Sequence, residues 1–287
     1  LDAARKQVAD ILKVEKETIY FTSCATESNN IAIIGSVEHK KDFGNRIIVS
    51  KIEHPSVLET YRELERRGFI LDYLNVDSNG LIDLNHLKSL LTKETILLSV
   101  MHVNNVYGGV QPIKEIVELL KEYPKVHFHV DGVQGVLKKE INLSDIDSYS
   151  ISAHKFHGPK GVGFLYTKDL DFENLLHGGD QEDKKRASTE NLISIAGMAA
   201  ALQEDMTQMD TNLTHVQNLY QELIKGLDGI HYYLNEEEPH LPYVLNLGIP
   251  GKANALLLMQ LDIAGISIST GSACTAGTIE PSHVLSS

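Results

Sequence analysis

The chain has 287 residues, 42% of them hydrophobic and 23% charged, which is ordinary for a globular protein with one or two domains. A formal net charge of −13 argues against nucleic acid as the main ligand, and no apolar run is long enough to span a membrane or to act as a signal peptide. The two cysteines, Cys24 and Cys274, lie far apart in unlike contexts, which excludes a disulfide framework and a zinc pattern and favours a cytoplasmic location.

Strand patterns and helix patterns alternate over the first part of the chain. The seven expected strands, in chain order, lie at 18–22, 46–51, 70–76, 95–103, 126–130, 148–153 and 162–167. The expected helices begin near residue 27, run over 57–67 and 84–91, and begin again at Pro112. Near-continuous apolar strands separated by amphipathic helices predict an α/β fold, in which helices flank both faces of a mostly parallel sheet.

The sequence changes character beyond residue 203, where longer polar helices and then a β-rich tail are expected. The pattern predicts a large domain over 1–209 and a smaller α+β domain over 210–287. Within the smaller domain we expect a helix and three strands, at 211–227, 231–234, 243–247 and 266–269.

Polar residues that follow each strand are the candidate site residues, because ligands of parallel sheets bind outside the carboxyl ends of the strands. After the first strand, Ser23, Cys24, Ala25 and Thr26 open a helix whose free N–H groups favour an anion. A simple N-cap formed by Ser23 or Thr26 explains these residues equally well.

Two further strand ends carry side chains that suit an aromatic ligand. His54 could lie flat on a ring, although a histidine at a helix start is ordinarily just exposed. The adjacent amides Asn104 and Asn105 could hydrogen-bond a ring hydroxyl or a carboxylate, and they equally suit a turn.

Asp131 closes a buried-looking strand, where a carboxylate is costly unless it meets a cation. A protonated pyridine nitrogen would supply that cation. Metal binding is the rival interpretation, but no second carboxylate or histidine cluster accompanies Asp131. His127 and His129 precede it with a period of two residues, opposite in direction to Phe128, and we interpret both as structural.

Lys155 follows the next strand, within the run SAHKFHGPKG. A partly desolvated lysine beside hydroxyl and imidazole groups suits an imine bond to an aldehyde cofactor, whereas a lone lysine in a loop is ordinarily only solvated. An aspartate for a ring nitrogen together with a lysine imine is the usual arrangement for pyridoxal phosphate. Thr26, Ser152 and His154 are then the expected phosphate anchors.

Cys274 lies in a run of small, polar and glycine residues over 267–277. Such a loop has few anchoring side chains, so we expect it to be mobile and its cysteine to be an accessible nucleophile. A buried packing cysteine is the commoner alternative.

Six motifs occur in one order over nearly the whole chain: FTSCATESNN, EHPSVL, MHVNN, HVDGVQ, SAHKFHGPKG and STGSACTAG. Together they resemble the motifs of cysteine desulfurases, which are class V aminotransferase-like enzymes of the fold-type I pyridoxal phosphate group. The resemblance implies that fold, a homodimer and pyridoxal 5'-phosphate as the cofactor.

The resemblance also implies roles for the residues that contact the cofactor ring. Lys155 would bond to the cofactor and later move protons, Asp131 would hold the pyridine nitrogen, and His54 would stack on the ring and act in proton transfer. Gln134 and Asn105 would contact the ring hydroxyl.

The phosphate group of the cofactor would be bound at the start of the first sheet-covering helix. The resemblance implies contacts from Ala25 and Thr26 there, and from Ser152 and His154 after the later strand. A threonine of the second subunit completes the phosphate site in the family, and Thr189 occupies the matching place.

Cys274 would take the sulfur of L-cysteine, leaving L-alanine and a persulfide. A sulfur-acceptor protein, either an iron–sulfur scaffold or a tRNA-thiolation enzyme, would then collect that sulfur. No metal site, nucleic-acid contact or membrane contact is expected.

The chain departs from the family pattern in places. Cys24 stands where the phosphate loop usually has glycine, the segment 183–189 is less glycine-rich, and Val106–Tyr107 replace an acidic and a branched aliphatic residue. A substrate-site segment before Leu1 and a carboxylate-binding arginine after Ser287 are also expected in the family, so we expect a trimmed sequence. Two alternatives stay open: a related lyase or aminotransferase, such as a selenocysteine lyase, and a non-catalytic scaffold on the same fold.

Overall fold

A seven-stranded sheet lies at the centre of the computed structural model, which describes residues 1–235, 238–270 and 282–287. Across the sheet the strands stand in the order β1-β7-β6-β5-β4-β2-β3. Strand β7 runs antiparallel to β1 and β6, and the other neighbouring pairs are parallel, so the predicted mostly parallel α/β sheet is confirmed. In chain order the strands are β1 (Ile19–Thr22), β2 (Arg46–Ser50), β3 (Ile70–Leu74), β4 (Thr95–Ser99), β5 (His127–Asp131), β6 (Ser148–Ser152) and β7 (Gly163–Thr167).

Helices cover both faces of this sheet, because side chains alternate between the two faces along each strand. Ile47 and Val49 of β2 pack against α2 and α3, whereas Ile48 points into the opposite core with α1, α4, α5 and the start of α6. These three residues are fully buried, and each contributes roughly 1.5–3 kcal/mol of transfer free energy. The helices are α1 (Asp2–Leu12), α2 (Ala25–Lys40), α3 (Pro55–Arg66), α4 (Leu84–Leu90), α5 (Ile113–Leu120), α6 (Leu192–Gly226) and α7 (Asn254–Ile263).

The carboxyl ends of six strands meet at one edge of the sheet, since β1 points the same way as the parallel strands. The residues that end β1, β2, β4, β5 and β6 are Thr22, Ser50, Ser99, Asp131 and Ser152. Helix α2 also begins at this edge, directly after β1. The topology therefore brings the polar strand-end residues of the sequence to the same edge of the sheet.

The C-terminal part differs from the expected pattern. β8 (Tyr233–Leu234) and β9 (Leu247–Gly248) form a short antiparallel pair within or at the end of two of the expected strands. The expected strand at 266–269 is wrong, because no strand among the described residues pairs with that segment and Ile266 and Ile268 are exposed.

Helix α6 runs without a break from Leu192 to Gly226 and so passes through the expected domain boundary at 209–210. The division into domains of 1–209 and 210–287 stays a prediction. Neither α6 nor any other helix within the described ranges has the length and apolar composition needed to cross a membrane.

A buried ion pair closes the edge of the sheet at β1. The guanidinium of Arg5 donates to both carboxylate oxygens of Glu182, at 2.8 and 2.7 Å, and to the carbonyl of Ile19. The same carboxylate accepts a hydrogen bond from the backbone N–H of Phe21 at 2.8 Å. Glu182 thereby occupies a ladder position that an edge strand would otherwise leave open.

Glu182 belongs to a segment whose backbone takes up left-handed conformations without glycine. The φ angles of Glu182, Asp183, Lys184 and Ser188 are 50°, 53°, 68° and 96°. Side chains disfavour this region by roughly 1–2 kcal/mol per residue, so packing and ion pairs must hold the segment in place. This is the stretch that is expected to be richer in glycine in the resembled family.

We expect Glu182→Ala to lower the free energy of unfolding by about 3 kcal/mol, because it leaves the buried Arg5 guanidinium and the Phe21 N–H without their partner. Asp10→Ala is the matched control: it breaks the exposed Lys6–Asp10 pair and should cost less than about 0.5 kcal/mol. Urea denaturation of both variants measures the difference. Equal losses would contradict the stabilising role of the Glu182 pair.

Candidate active site

Asp131 is the centre of the candidate site. It is the last residue of β5, only 6% exposed, and it faces α2. Its Oδ2 accepts a hydrogen bond from the Nδ2 of Asn29 at 2.8 Å, and its Oδ1 accepts one from the backbone N–H of Val133 at 3.1 Å. Burial raises the pKa of Asp131, whereas these two donors and the charges of His54 and Lys155 favour the ionised form.

His127 and His129 lie on the same face of β5 as Asp131 and are fully enclosed. His129 contacts Ser148 Oγ through Nδ1 at 2.9 Å and Asn29 Oδ1 through Nε2 at 3.0 Å, and His127 Nε2 lies 2.8 Å from Ser148 Oγ. Burial lowers the pKa of His127 to about 4 and that of His129 to about 3, so both rings are neutral near pH 7. The interpretation of these histidines as structural is confirmed.

His54 lies beside Asp131 and caps the start of α3. Its Nδ1 accepts a hydrogen bond from the backbone N–H of Ser56 at 3.1 Å and lies 2.8 Å from the Ser56 hydroxyl. Burial lowers the pKa of His54; the Asp131 carboxylate opposes this shift and the Lys155 ammonium adds to it. His54, Asp131 and Lys155 are therefore within electrostatic reach of one another, as the sequence predicted.

Lys155 ends a short 3-10 helix, Ala153–Lys155, directly after β6. Its side chain is exposed, whereas we expected it to be partly desolvated. The difference arises because the lysine stands in a short 3-10 helix beyond the end of β6, at the edge of the sheet and outside its buried strands. Its charge acts on the neighbouring groups and contributes to lowering the pKa of His54, His154 and Lys138.

The start of α2 offers the expected anion site. Cys24 occupies the N-cap position and makes no side-chain capping hydrogen bond, so the alternative of a cap by Ser23 or Thr26 is wrong. Ala25 is buried and Thr26 is exposed in the first turn, where the helix dipole favours negative charge. Across the sheet edge, Ser152 Oγ lies 3.0 Å from His154 Nδ1.

The backbone at Cys24 tolerates its side chain. Its φ of −178° and ψ of 172° are extended and available to any residue, so glycine is not required at this position. Close packing falls instead on Gly163 at the start of β7, where an added Cβ would lie 2.4 Å from the carbonyl oxygen of Ile151 and 3.1 Å from the carbonyl carbon of Cys24.

The remaining predicted site residues lie in loops. Asn105 is half-buried beyond β4, which ends at Ser99 and not at the expected residue 103. Its neighbour Asn104 is fully buried and supports the turn, with Oδ1 accepting from the Val106 N–H at 2.8 Å. Gln134 is half-buried in the turn after Asp131.

Thr189 and Cys274 are the last two predicted residues. Thr189 is exposed in the segment that follows Arg186. Cys274 lies outside the described residues, so its predicted role stays a prediction.

Four polar residues of the site were missed by sequence reasoning: Asn29, Ser56, Glu53 and Lys138. Asn29 and Ser56 connect Asp131 to His54 through hydrogen bonds of 2.8 and 2.9 Å from the Asn29 amide. Burial lowers the pKa of Lys138 to about 8, and its Nζ donates to Gln134 Oε1 at 3.4 Å. The only signal for Asn29 and Ser56 was their position within the motifs around Thr26 and His54.

Glu53 is a second fully buried carboxyl group beside Asp131. Its Oε1 accepts from the backbone N–H of Met101 at 2.6 Å, and its Oε2 has no hydrogen-bond partner among the described residues. Burial, with a contribution from the Asp131 charge, raises the pKa of Glu53 well above its usual value. Glu53 is therefore protonated near neutral pH, while Asp131 has donors on both oxygens.

These residues fit pyridoxal phosphate. A buried carboxylate at a sheet edge needs a cation, which a pyridinium nitrogen supplies, and an uncapped helix N-terminus with Thr26, Ser152 and His154 suits a phosphate. The His54 imidazole and Lys155 lie within electrostatic reach of Asp131. Within the described part of the chain, no group of three or more His, Cys, Asp or Glu side chains could hold a metal ion.

Comparison with known proteins agrees with this geometry. The family described as "Aminotransferase class-V" matches residues 1–286. "Cysteine desulfurase IscS" of Clostridium botulinum is 43% identical over 99% of this chain and 74% of that protein, and "Cysteine desulfurase IscS" of Dictyoglomus turgidum is 41% identical over 100% and 74%. The solved structure of a NifS-like protein has a TM-score of 0.92 and 35% identity over 99% of this chain and 76% of that chain.

The chain belongs to the class-V aminotransferase family, and within it to the cysteine desulfurases. Enzymes of this family depend on pyridoxal phosphate. The family and the fold-type I architecture predicted from the sequence are thus confirmed.

Glu53 should make the stability of the protein fall with rising pH. The folded protein keeps a proton that the unfolded chain releases above the ordinary glutamate pKa of 4.5, so stability present at low pH is lost as the pH rises. We expect the free energy of unfolding of the wild type, relative to Glu53→Gln, to decrease as the pH rises above about 4.5, by up to about 1.4 kcal/mol per pH unit.

Urea denaturation of the cofactor-free proteins at several pH values measures this difference. Glu59→Gln, which alters an exposed glutamate of α3, serves as the control and should follow the wild type. Parallel pH profiles for the wild type and Glu53→Gln would show that Glu53 is ionised in the folded protein.

Proposed function

We propose that the protein binds pyridoxal phosphate on Lys155 and converts L-cysteine to L-alanine, leaving a persulfide on Cys274. The observation that carries the proposal is the buried Asp131 carboxylate, which has donors on both oxygens and lies within electrostatic reach of His54 and Lys155. In the reaction, the C–S bond of the substrate breaks and an S–S bond forms on Cys274. The thiol protons are redistributed so that the product carbon becomes a methyl group, and no external oxidant is needed.

The chain's own groups divide this work. Asp131 would accept a hydrogen bond from the ring nitrogen and keep it protonated, and the bound cofactor would supply an electron sink next to the substrate Cα. Lys155 Nζ would hold the cofactor and move protons at the substrate carbons. His54, whose Nδ1 is engaged by Ser56, would stack on the ring and take part in proton transfer.

The ring hydroxyl and the phosphate would take the remaining predicted residues. Gln134 and Asn105 would contact the hydroxyl, and Lys138 donates to the carbonyl oxygen of Gln134 and so orients it. Ala25, Thr26, Ser152 and His154 would bind the phosphate.

A homodimer follows from the proposed phosphate site, because Thr189 would contact the phosphate bound by a second subunit. Thr189 is exposed, and the neighbouring Leu192 and Ile193 are 56% and 88% exposed, which suits a surface that a second copy covers.

A structure of SspA in complex with cysteine supports L-cysteine as the substrate. It is similar to this chain with a TM-score of 0.85 and 32% identity over 99% of this chain and 81% of that chain.

The persulfide would pass to an acceptor protein, either an iron–sulfur scaffold or a tRNA-thiolation enzyme. Such acceptors receive sulfur on a thiol, so a cytoplasmic setting that keeps thiols reduced suits the reaction.

Mass spectrometry after treatment with L-cysteine and pyridoxal phosphate tests the proposal. We expect one added sulfur on the peptide that carries Cys274 and none on the peptide that carries Cys24. Cys274→Ser should lower alanine production more than about a hundredfold, whereas the matched variant Cys24→Ser should retain it. Lys155→Ala should lose the absorbance at about 420 nm expected of a lysine-bound cofactor.

Other outcomes would replace the proposal. Full activity of Cys274→Ser on selenocysteine, with little activity on cysteine, would indicate a selenocysteine lyase. A wild-type protein without cofactor absorbance would indicate a non-catalytic scaffold.

A further inference from the structure

The side chain of Asn29 forms hydrogen bonds through both its amide nitrogen and its carbonyl oxygen. It lies in the second turn of α2, is 0% exposed, and faces the polar side of β5. Its Nδ2 lies 2.8 Å from Asp131 Oδ2 and 2.9 Å from Ser56 Oγ, and its Oδ1 lies 3.0 Å from His129 Nε2. An amide that is fully engaged in a buried site has one allowed orientation.

Asp131 sets the direction of these hydrogen bonds, because both of its carboxyl oxygens accept, Oδ2 from Asn29 and Oδ1 from the Val133 N–H. A carboxylate only accepts, so the Asn29 amide nitrogen must donate to it and the Asn29 carbonyl must accept from His129 Nε2–H. His129 Nδ1 then accepts from the Ser148 hydroxyl, and the Ser148 oxygen accepts from His127 Nε2–H. The neutral state of both imidazoles, with a lowered pKa, agrees with one donating and one accepting nitrogen on each ring.

The second N–H of Asn29 reaches the other side of the site. It donates to Ser56 Oγ, and the Ser56 hydroxyl is then free to donate to His54 Nδ1 at 2.8 Å. The Asn29 amide thus contacts Asp131 directly and His54 through the Ser56 hydroxyl. In the proposed function, Asp131 would hold the ring nitrogen of the cofactor and His54 would stack on the ring.

We propose that Asn29 is a positioning residue that fixes the Asp131 carboxylate and the His54 ring relative to each other, with His129 and Ser148 locking its orientation. The role rests on the proposed function, since Asp131 and His54 would act on the bound cofactor. Burial raises the pKa of Asp131 and the Asn29 donor opposes that shift, so loss of this donor would further favour the protonated form, which cannot pair with a pyridinium nitrogen.

The test compares Asn29→Ala with Asn30→Ala. Asn30 is the adjacent amide on the same helix and is half-buried. Its side chain donates to the Thr26 carbonyl at 2.9 Å, so Asn30→Ala controls for loss of an amide from α2. Cofactor affinity is measured by titrating the cofactor-free proteins with pyridoxal phosphate and following absorbance. We expect Asn29→Ala to weaken binding roughly tenfold to a hundredfold and Asn30→Ala to stay within about twofold of the wild type.

A second measurement needs no Asn29 variant and no cofactor. ¹⁵N NMR of the histidine-labelled wild type reports which nitrogen of each ring carries the proton, with the signals assigned from those lost in His127→Gln and His129→Gln. The proposal expects the proton on Nε2 of both rings. A proton on Nδ1 of His129 would reverse the direction of the chain and overturn the proposal.

The outcomes distinguish a failure of the positioning role of Asn29 from a failure of the proposed function. If the wild type binds the cofactor and Asn29→Ala matches Asn30→Ala in affinity, the positioning role is wrong and the proposed function stands. If the wild type does not bind the cofactor at all, the proposed function itself is wrong, and the role of Asn29 in catalysis falls with it.

Discussion

The burial of the Asp131 carboxylate is the constraint on which the site depends. Burying a carboxylate away from water lowers the stability of the folded protein by several kcal/mol unless hydrogen-bond donors and cations surround it. The face of β5 that is turned toward α2 is therefore polar. The paired strand β6 adds three buried serines to the same face of the sheet, Ser148, Ser150 and Ser152. The first turns of α2 contribute the buried polar residues Ser28 and Asn29, although the rest of that helix buries mainly apolar residues. The polar layer is specified by side chains from three elements at once.

Two buried carboxyl groups share this region, and their surroundings separate them. Glu53 has one backbone donor and an oxygen without a partner in the described structure, so burial keeps it protonated. Burial raises the pKa of Asp131 as well, but its two donors, His54 and Lys155 oppose that shift, whereas only one backbone donor opposes it at Glu53. Different surroundings can thus assign different roles to chemically similar acids.

Sequence reasoning predicted the sheet and the ends of its strands because both follow from local rules. Apolar strands alternate with helices, and the carboxyl ends of parallel strands converge, so Asp131, His54, Thr26 and Lys155 could be brought together without a structure. Asn29 could not be found in this way, because an asparagine in a helix is ordinarily solvated and its burial depends on how α2 crosses β5. The exposure of Lys155 and the non-pairing segment at 266–269 likewise depend on which neighbours are present, and local pattern carries no such information.

An ion pair also links the segment 182–189 to the start of α2, where a phosphate is proposed to bind. Glu27, in the first turn of α2, accepts from the Ser23 N–H at 2.6 Å and from the Arg186 guanidinium at 2.7 and 3.2 Å. Burial alone would raise the pKa of Glu27, but these donors outweigh it and lower the pKa. The loop before α2 and the segment before Thr189 are thereby joined through one carboxylate. Because that segment holds left-handed residues without glycine, its shape depends on this pair and on Arg5–Glu182, and these two ion pairs therefore help to fix the position of Thr189.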